Sequence, residues 1–535
     1  MAQWNRNNQD FLNNGRTLYE VQMQADQYGN IINPAATAKS AFGEPISVPV
    51  TPVLQLDGLY GLDPRQFETY TGADVGLSGT ASTTGTLMQV TTGTDAFGYG
   101  VLRSKRAVRY RPGQGAQARF TAMFTATDGV GVAGYTQRAG FFTQEQALQI
   151  GFDGEQFGVL RQNGGKAHIH VFTIDTAATG TGNISIELDG TTTVVAVTSG
   201  DSTSIVARKI ADAFASSGAW LVEYSDTKVC FLAQRVGPKA GAFSFTDTGT
   251  TGVTSTLSNP QAGVAHTETW TYQTNFNIDT LDGNGPSGVT LDPSKLNVFQ
   301  INFRWLGAGE LRYAIENPIN GDMIFFHHEH YSNQNTDVHL DNPSLKIGYI
   351  AYSTGGTGTD VTVSGASIMG AIEGLIQTTK LPTAASISSD PNPNLAAVSY
   401  HHILTLHNRL VYGGKINTRE VLLKNINASF TTSPAGKPIT VYMYYNFDAL
   451  PDLEYQTQSD QYSSVYYSTT TGVVVPGNTN LPIYIFDVPG NQSVTIDLDD
   501  LRIALPPNSN LSIVIRSGSG TAIDTYAASL SWVED

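Results

Sequence analysis

The sequence predicts a mainly β protein: a β-sandwich that carries a small inserted α+β module, followed by a second β-sandwich. Three observations predict it. Apolar residues recur at every second position through most of the chain, the side-chain period of a strand. Turns rich in Gly, Asn, Thr and Ser separate these runs, and 54 of the 535 residues are glycine. Helical spacing stands out in one stretch, near residue 205. Charged residues are only 14% of the chain, against about 25% in ordinary soluble proteins.

Hydrophobic residues make up 40% and aromatics 10%, which supplies real cores and excludes a disordered chain. At about 150 residues per domain the length suits three or four domains. The net charge of −16, from 30 basic and 46 acidic residues, repels phosphate backbones and disfavours nucleic acid as a partner. The single cysteine, Cys230, excludes an internal disulfide framework. No run of about 18 apolar residues is present, so no helical membrane insertion is expected. Met1 to Asn7 lacks the apolar stretch of a secretory signal, so synthesis in a cytoplasm is expected.

Residues 1–47 read as an arm. It is rich in Asn and Gln, and its sparse apolar residues, among them Trp4, Phe11 and Leu12, fit no period, so it would order only against a partner or the body of the protein. From Val48 the period becomes two. Strands are expected at Val53–Asp57, Thr86–Val90, Arg103–Tyr110, Ala118–Phe124, Leu148–Phe152 and Phe157–Arg161. Asp153-Gly154 and Asn163-Gly164 mark hairpin turns because both residue types tolerate positive φ. Residues 166–266 form a separate ββαββ unit: strands at Ile184–Leu188, Thr193–Val197, Trp220–Tyr224 and Lys228–Leu232, and a helix opened by Asp201-Ser202-Thr203-Ser204 and stopped by Gly218. Alternation resumes at 267–380, so one sandwich spans 48–165 plus 267–380, with the module inserted in a loop, where a longer closure costs little. The Pro/Ser/Asn-rich stretch 381–395 reads as a linker. Residues 396–535 alternate again and read as a second sandwich or jelly roll.

The segments Tyr110–Gly115 with Arg119–Ala122, Leu148–Arg161, and Val298–Ile301 with Trp305–Gly309 resemble a laminin-G or concanavalin-like jelly roll of the kind found in virion structural proteins of tailed phages and large marine viruses. Gly182–Asp201 resembles a module recurrent in phage tail and appendage proteins. The resemblance implies a non-enzymatic structural component of a virus particle: a bacteriophage tail, fibre or capsid-surface protein, located in the virion after synthesis in the host cytoplasm. Its implied partners are sister copies in a homo-oligomer, with a trimer as the common symmetry, and other virion proteins reached through the arm. The alternative is a carbohydrate-binding module that recognises host-surface glycans, with Tyr331, Tyr462, Tyr466 and Tyr467 as stacking residues; a polysaccharide depolymerase is the third reading.

No catalytic motif is present. There is no Gly-x-Ser-x-Gly before a helix, and Cys230 sits in an apolar strand. The densest polar cluster is His327-His328-Glu329-His330 with Asp337 and His339. If His328 and His330 share a strand face, His339 from the next strand would complete a divalent-metal site; the other reading places these histidines at a solvent-facing strand end, with no cofactor. Asp282-Gly283-Asn284-Gly285 and Asp337 to Asn342 are loop carboxylates suited to turns or to calcium. Arg103, Lys105 and Arg109, on one basic stretch, would meet an acidic neighbour chain or solvent.

Overall fold

The computed structural model describes residues 49–535, apart from 125–129, 375–380, 389–394, 397, 448–452, 458, 460–461, 477–480 and 519, together with two short paired strands, Gln24–Ala25 and Ile31–Ile32. The chain divides into two compact units, Met1–Val50 and Thr51–Asp535. Trp4, Phe11 and Leu12 lie outside the described residues.

The mainly β class and the two-sandwich plan expected from the period are what the second unit contains. Its first sandwich packs a seven-stranded against a nine-stranded sheet. The seven-stranded sheet runs, in spatial order, Thr267–Tyr272, Gln156–Asn163, Ala147–Asp153, Tyr135–Phe142, Lys346–Ser353, Tyr99–Ser104 and Phe67–Thr71, antiparallel throughout. Strict alternation decides its two faces. Phe141, Leu148, Ile150, Phe152, Phe157, Val159, Ile347 and Tyr349 point inward and meet Phe120, Phe124, Phe299 and Phe303 of the nine-stranded sheet. Phe141 meets Phe303 edge-on at 5.3 Å, and Phe124 meets Phe157 at 5.8 Å. The nine-stranded sheet ends in the hairpin Leu311–Glu316 and Met323–Glu329.

The inserted module leaves the sandwich at Lys166 and returns at Val264, where the two residues exchange backbone hydrogen bonds of 2.9 Å in each direction. It pairs a four-stranded and a three-stranded sheet around the helix Thr203–Ala213. Ser202 caps this helix by accepting from Ile205 N at 3.2 Å. Val206 and Ile210 are buried as the spacing expects, while Ala207 and Ala211 are the further buried positions and Ala213 faces solvent.

The second sandwich sets a five-stranded against a seven-stranded sheet over Trp532, Phe430, Ile403, Leu406, Ile513 and Ile515. The stretch expected as a linker contributes Thr383–Ser388 as a strand paired to Ala522–Glu534, with Ala385 buried. Its small side chains hide the two-residue period that larger ones would display.

Candidate functional site

The outward positions of the seven-stranded sheet include Glu68 and Tyr70; Tyr99, Val101 and Arg103; Lys346, Ile350 and Tyr352; Thr136, Arg138 and Phe142; Gln149 and Asp153; Leu160 and Gln162; and Glu268, Trp270 and Tyr272. At its centre the cross-strand pairs Gly140–Gly348 and Gly151–Gly158 leave the face without side chains. A Cβ at Gly151 would stand 1.9 Å from the Gln137 carbonyl oxygen, so this floor admits only glycine. The strand Lys228–Val236 of the inserted module supplies Gln234, Arg235 and Val236 as a wall. Between floor and wall lies a cleft of about 610 Å³, within the size range of small-molecule sites.

Aromatic rings and planar polar groups share this cleft. Arg235 lies over the rings of Tyr99 at 4.3 Å and Tyr352 at 5.3 Å, which ties the module to the sheet by cation–π contact. Arg103 stacks over Tyr70 at 5.3 Å and Phe142 at 5.6 Å. At the other end Arg138 Nη1 donates to Glu268 Oε1 at 2.9 Å and lies over Trp270 at 5.5 Å. Trp270 Nε1 donates to Glu268 Oε2 at 3.2 Å, and its ring stacks on Tyr272 at 6.2 Å. The Tyr272 hydroxyl donates to Asp153 Oδ2 at 2.9 Å. Burial alone would raise the Glu268 pKa, but the hydrogen bond with His266, the charge of Arg138 and the Trp270 donor together hold it at about 2.

The structure brings His328 and His330 together, with Glu310 as the third member of the cluster: Glu310 Oε1 lies 3.1 Å from His328 Nδ1 and 3.6 Å from His330 Nδ1. His339 is not part of it. That ring is fully buried against Tyr331, 5.4 Å edge-on, and burial lowers its pKa to about 4. Glu310 escaped sequence reasoning because it sits just before the neighbouring strand, eighteen positions before His328. The carboxylates of the 282–285 loop serve turns: Asp282 accepts from Asn284 N at 2.9 Å and Asp279 from Ser287 N at 2.8 Å.

The basic stretch meets acids of its own chain, which corrects the expected neighbour contact. Arg103 is 3% exposed and pairs with Glu68, whose Oε1 also accepts from Lys346 Nζ at 2.9 Å. Arg106 Nη2 donates to Glu420 Oε2 at 2.9 Å, Arg111 pairs with Asp535, and Arg109 Nη1 lies 3.9 Å from Asp535 Oδ1. Lys105 is half-buried, and burial lowers its pKa. The strand expected at Arg103–Tyr110 stops at Ser104, where the chain turns toward the second sandwich to make these pairs. Among the expected stacking tyrosines, Tyr331 is buried under Arg161 at 5.2 Å and Tyr466 under Arg409 at 4.1 Å, while Tyr462 is exposed.

No protein-family model and no curated protein sequence matches the chain. Among solved structures it is similar to the endo-1,3-beta-glucanase of Streptomyces sioyaensis, at 8% identity and a TM-score of 0.28 over 61% of this chain and 97% of that one. It is also similar to lectin II of Ulex europaeus, at 9% identity and a TM-score of 0.22 over 61% of this chain and all of that one. A third is arcelin-5, a lectin-like defense protein of Phaseolus vulgaris, at 9% identity and a TM-score of 0.21 over 60% of this chain and 97% of that one.

Proposed function

We propose that this chain binds carbohydrate in the cleft over the seven-stranded sheet. The observation that carries the reading is the lining itself: Tyr70, Tyr99, Tyr352 and Phe142 share one concave space with Arg138, Arg235, Gln149, Gln162 and Asp153. A sugar ring has an apolar C–H face and a rim of hydroxyls. Rings suit the first, and bidentate amide, guanidinium and carboxylate groups suit the second. A glycosidic general acid needs a raised pKa, whereas Glu268 sits at about 2 and is engaged by three donors. A glycan array followed by calorimetry tests the reading. Tyr352→Ala and Arg138→Ala are each expected to weaken the best hit at least about tenfold, and no hit from the array would overturn it.

A second reading, a structural part of a virus particle that packs on sister copies, is favoured by the edges of the second sandwich's seven-stranded sheet. Val473 is 60% exposed near one edge, and Leu481 and Ile485 are 75% and 51% exposed at the other. Open apolar edges invite pairing with another chain. Light scattering on the purified chain tests it, and a monomer at high concentration would argue against it.

A further inference from the structure

We infer that Glu310, His328 and His330 form a binding site for a first-row divalent ion of the zinc class, at the base of the edge hairpin of the nine-stranded sheet and apart from the cleft. Alternation places the donors on one face. His328 and His330 are two apart, Arg312 pairs with His328 across the hairpin, and Glu310 lies two before Arg312. One ligand atom from each of the three lies within 4.8 Å of the others. At metal–ligand distances of about 2.0–2.1 Å the edge of a tetrahedron is about 3.3 Å. The distances from Glu310 Oε1 to the two Nδ1 atoms, 3.1 and 3.6 Å, bracket that value. Two imidazoles and one carboxylate are the donor set of zinc, cobalt or nickel rather than of calcium or magnesium.

The donors are held in place before any ion arrives. Asn277 grips the backbone of His328 on both sides: its Oδ1 accepts from His328 N at 2.9 Å and its Nδ2 donates to His328 O at 2.8 Å. The residues flanking His330 are fixed as well. Arg161 Nε donates to Glu329 Oε1 at 2.5 Å, and the same guanidinium lies 5.2 Å over the buried Tyr331 ring. Arg312 Nε donates to Glu310 Oε2 at 2.6 Å, which orients the carboxylate and leaves Oε1 facing the imidazoles. His330 is 62% exposed on its side chain, so an ion reaches the site from solvent and keeps an open fourth position for water. The positive charge of Arg312 beside Glu310 opposes the cation and weakens its binding.

The test uses tag-free, full-length protein stripped with a chelator and titrated with zinc chloride by calorimetry, with cobalt(II) absorption as the second readout. The expected result is one equivalent of zinc and an intense visible cobalt band of low coordination number. His330→Ala, on an exposed side chain that folding does not need, and Glu310→Gln should each weaken binding at least about tenfold. Arg312→Gln, which keeps a donor to Oε2 and removes the charge, should tighten it. Absence of stoichiometric zinc binding, or zinc binding that His330→Ala and Glu310→Gln leave unchanged, overturns the assignment.

Discussion

The cleft and the junction between the two sandwiches both rely on arginines, yet they support them differently. At the junction Arg106 meets Glu420 and Arg111 meets Asp535, and these charges are spent inside the chain. In the cleft Arg235 lies over Tyr99 and Tyr352, and Arg138 lies over Trp270, both lining an open space of about 610 Å³. The difference is one of backing. Junction arginines are answered head-on by a second domain. Cleft arginines are supported from the side by aromatic faces as well, and of the two Arg138 alone also meets a carboxylate, Glu268.

Acid strains the scaffold that carries both regions, and its effect is the largest expected. Burial holds His170, His327, His339 and His402 neutral, with pKa values of about 4. The unfolded chain takes up these protons at about 6.5. The unfolded state therefore binds more protons between those values, and stability falls as pH drops from about 6.5 to 4. Glu268, held at about 2, adds a loss only below about pH 4.5, where the unfolded carboxyl begins to protonate. Melting temperature against pH checks this; a flat profile from 6.5 to 4 breaks the histidine account. Next in size is Arg103→Ala, which strips Glu68 of its buried partner and leaves Lys346 alone beside it. A loss of about 3 kcal/mol is expected in denaturant unfolding. Tyr352→Ala should cost the cleft at least about tenfold in sugar affinity, roughly 1.4 kcal/mol, with little change in melting. Glu420→Ala should cost least, about 1 kcal/mol, because Arg106 can turn to solvent. If Glu420→Ala lowered sugar affinity as much as Tyr352→Ala does, the separation of the two regions would fail.

The strand period made the class, the two sandwiches and the capped helix legible, since Ser202, Val206 and Ile210 carry that information locally. The cleft was not legible in the same way. Tyr99, Arg138, Glu268 and Tyr352 come from four strands that only antiparallel pairing places on one face, and Arg235 reaches them from a different sheet in the inserted module, the five spread over some 250 positions. One local trace existed: Glu268-x-Trp270-x-Tyr272 sets a carboxylate and two rings on the outward side of a single strand. The basic stretch was visible as charge, but charge is silent about whether the answering acid belongs to another molecule or to residues 420 and 535 of the same one. The histidine cluster was half legible. His328 and His330 share a face by parity alone, while replacing His339 with Glu310 required the hairpin register.

The inserted module enters and leaves through one paired bridge, Lys166 with Val264, and contributes Arg235 to the cleft from its own strand. It is also seated on the second sandwich, where Glu223 accepts from Leu410 N at 2.5 Å and the Tyr224 hydroxyl donates to Leu453 O at 3.1 Å. The wall of the cleft is thus braced from two directions, so any shift in how the module sits on the second sandwich would carry Arg235 with it and change the width of the space above the sheet.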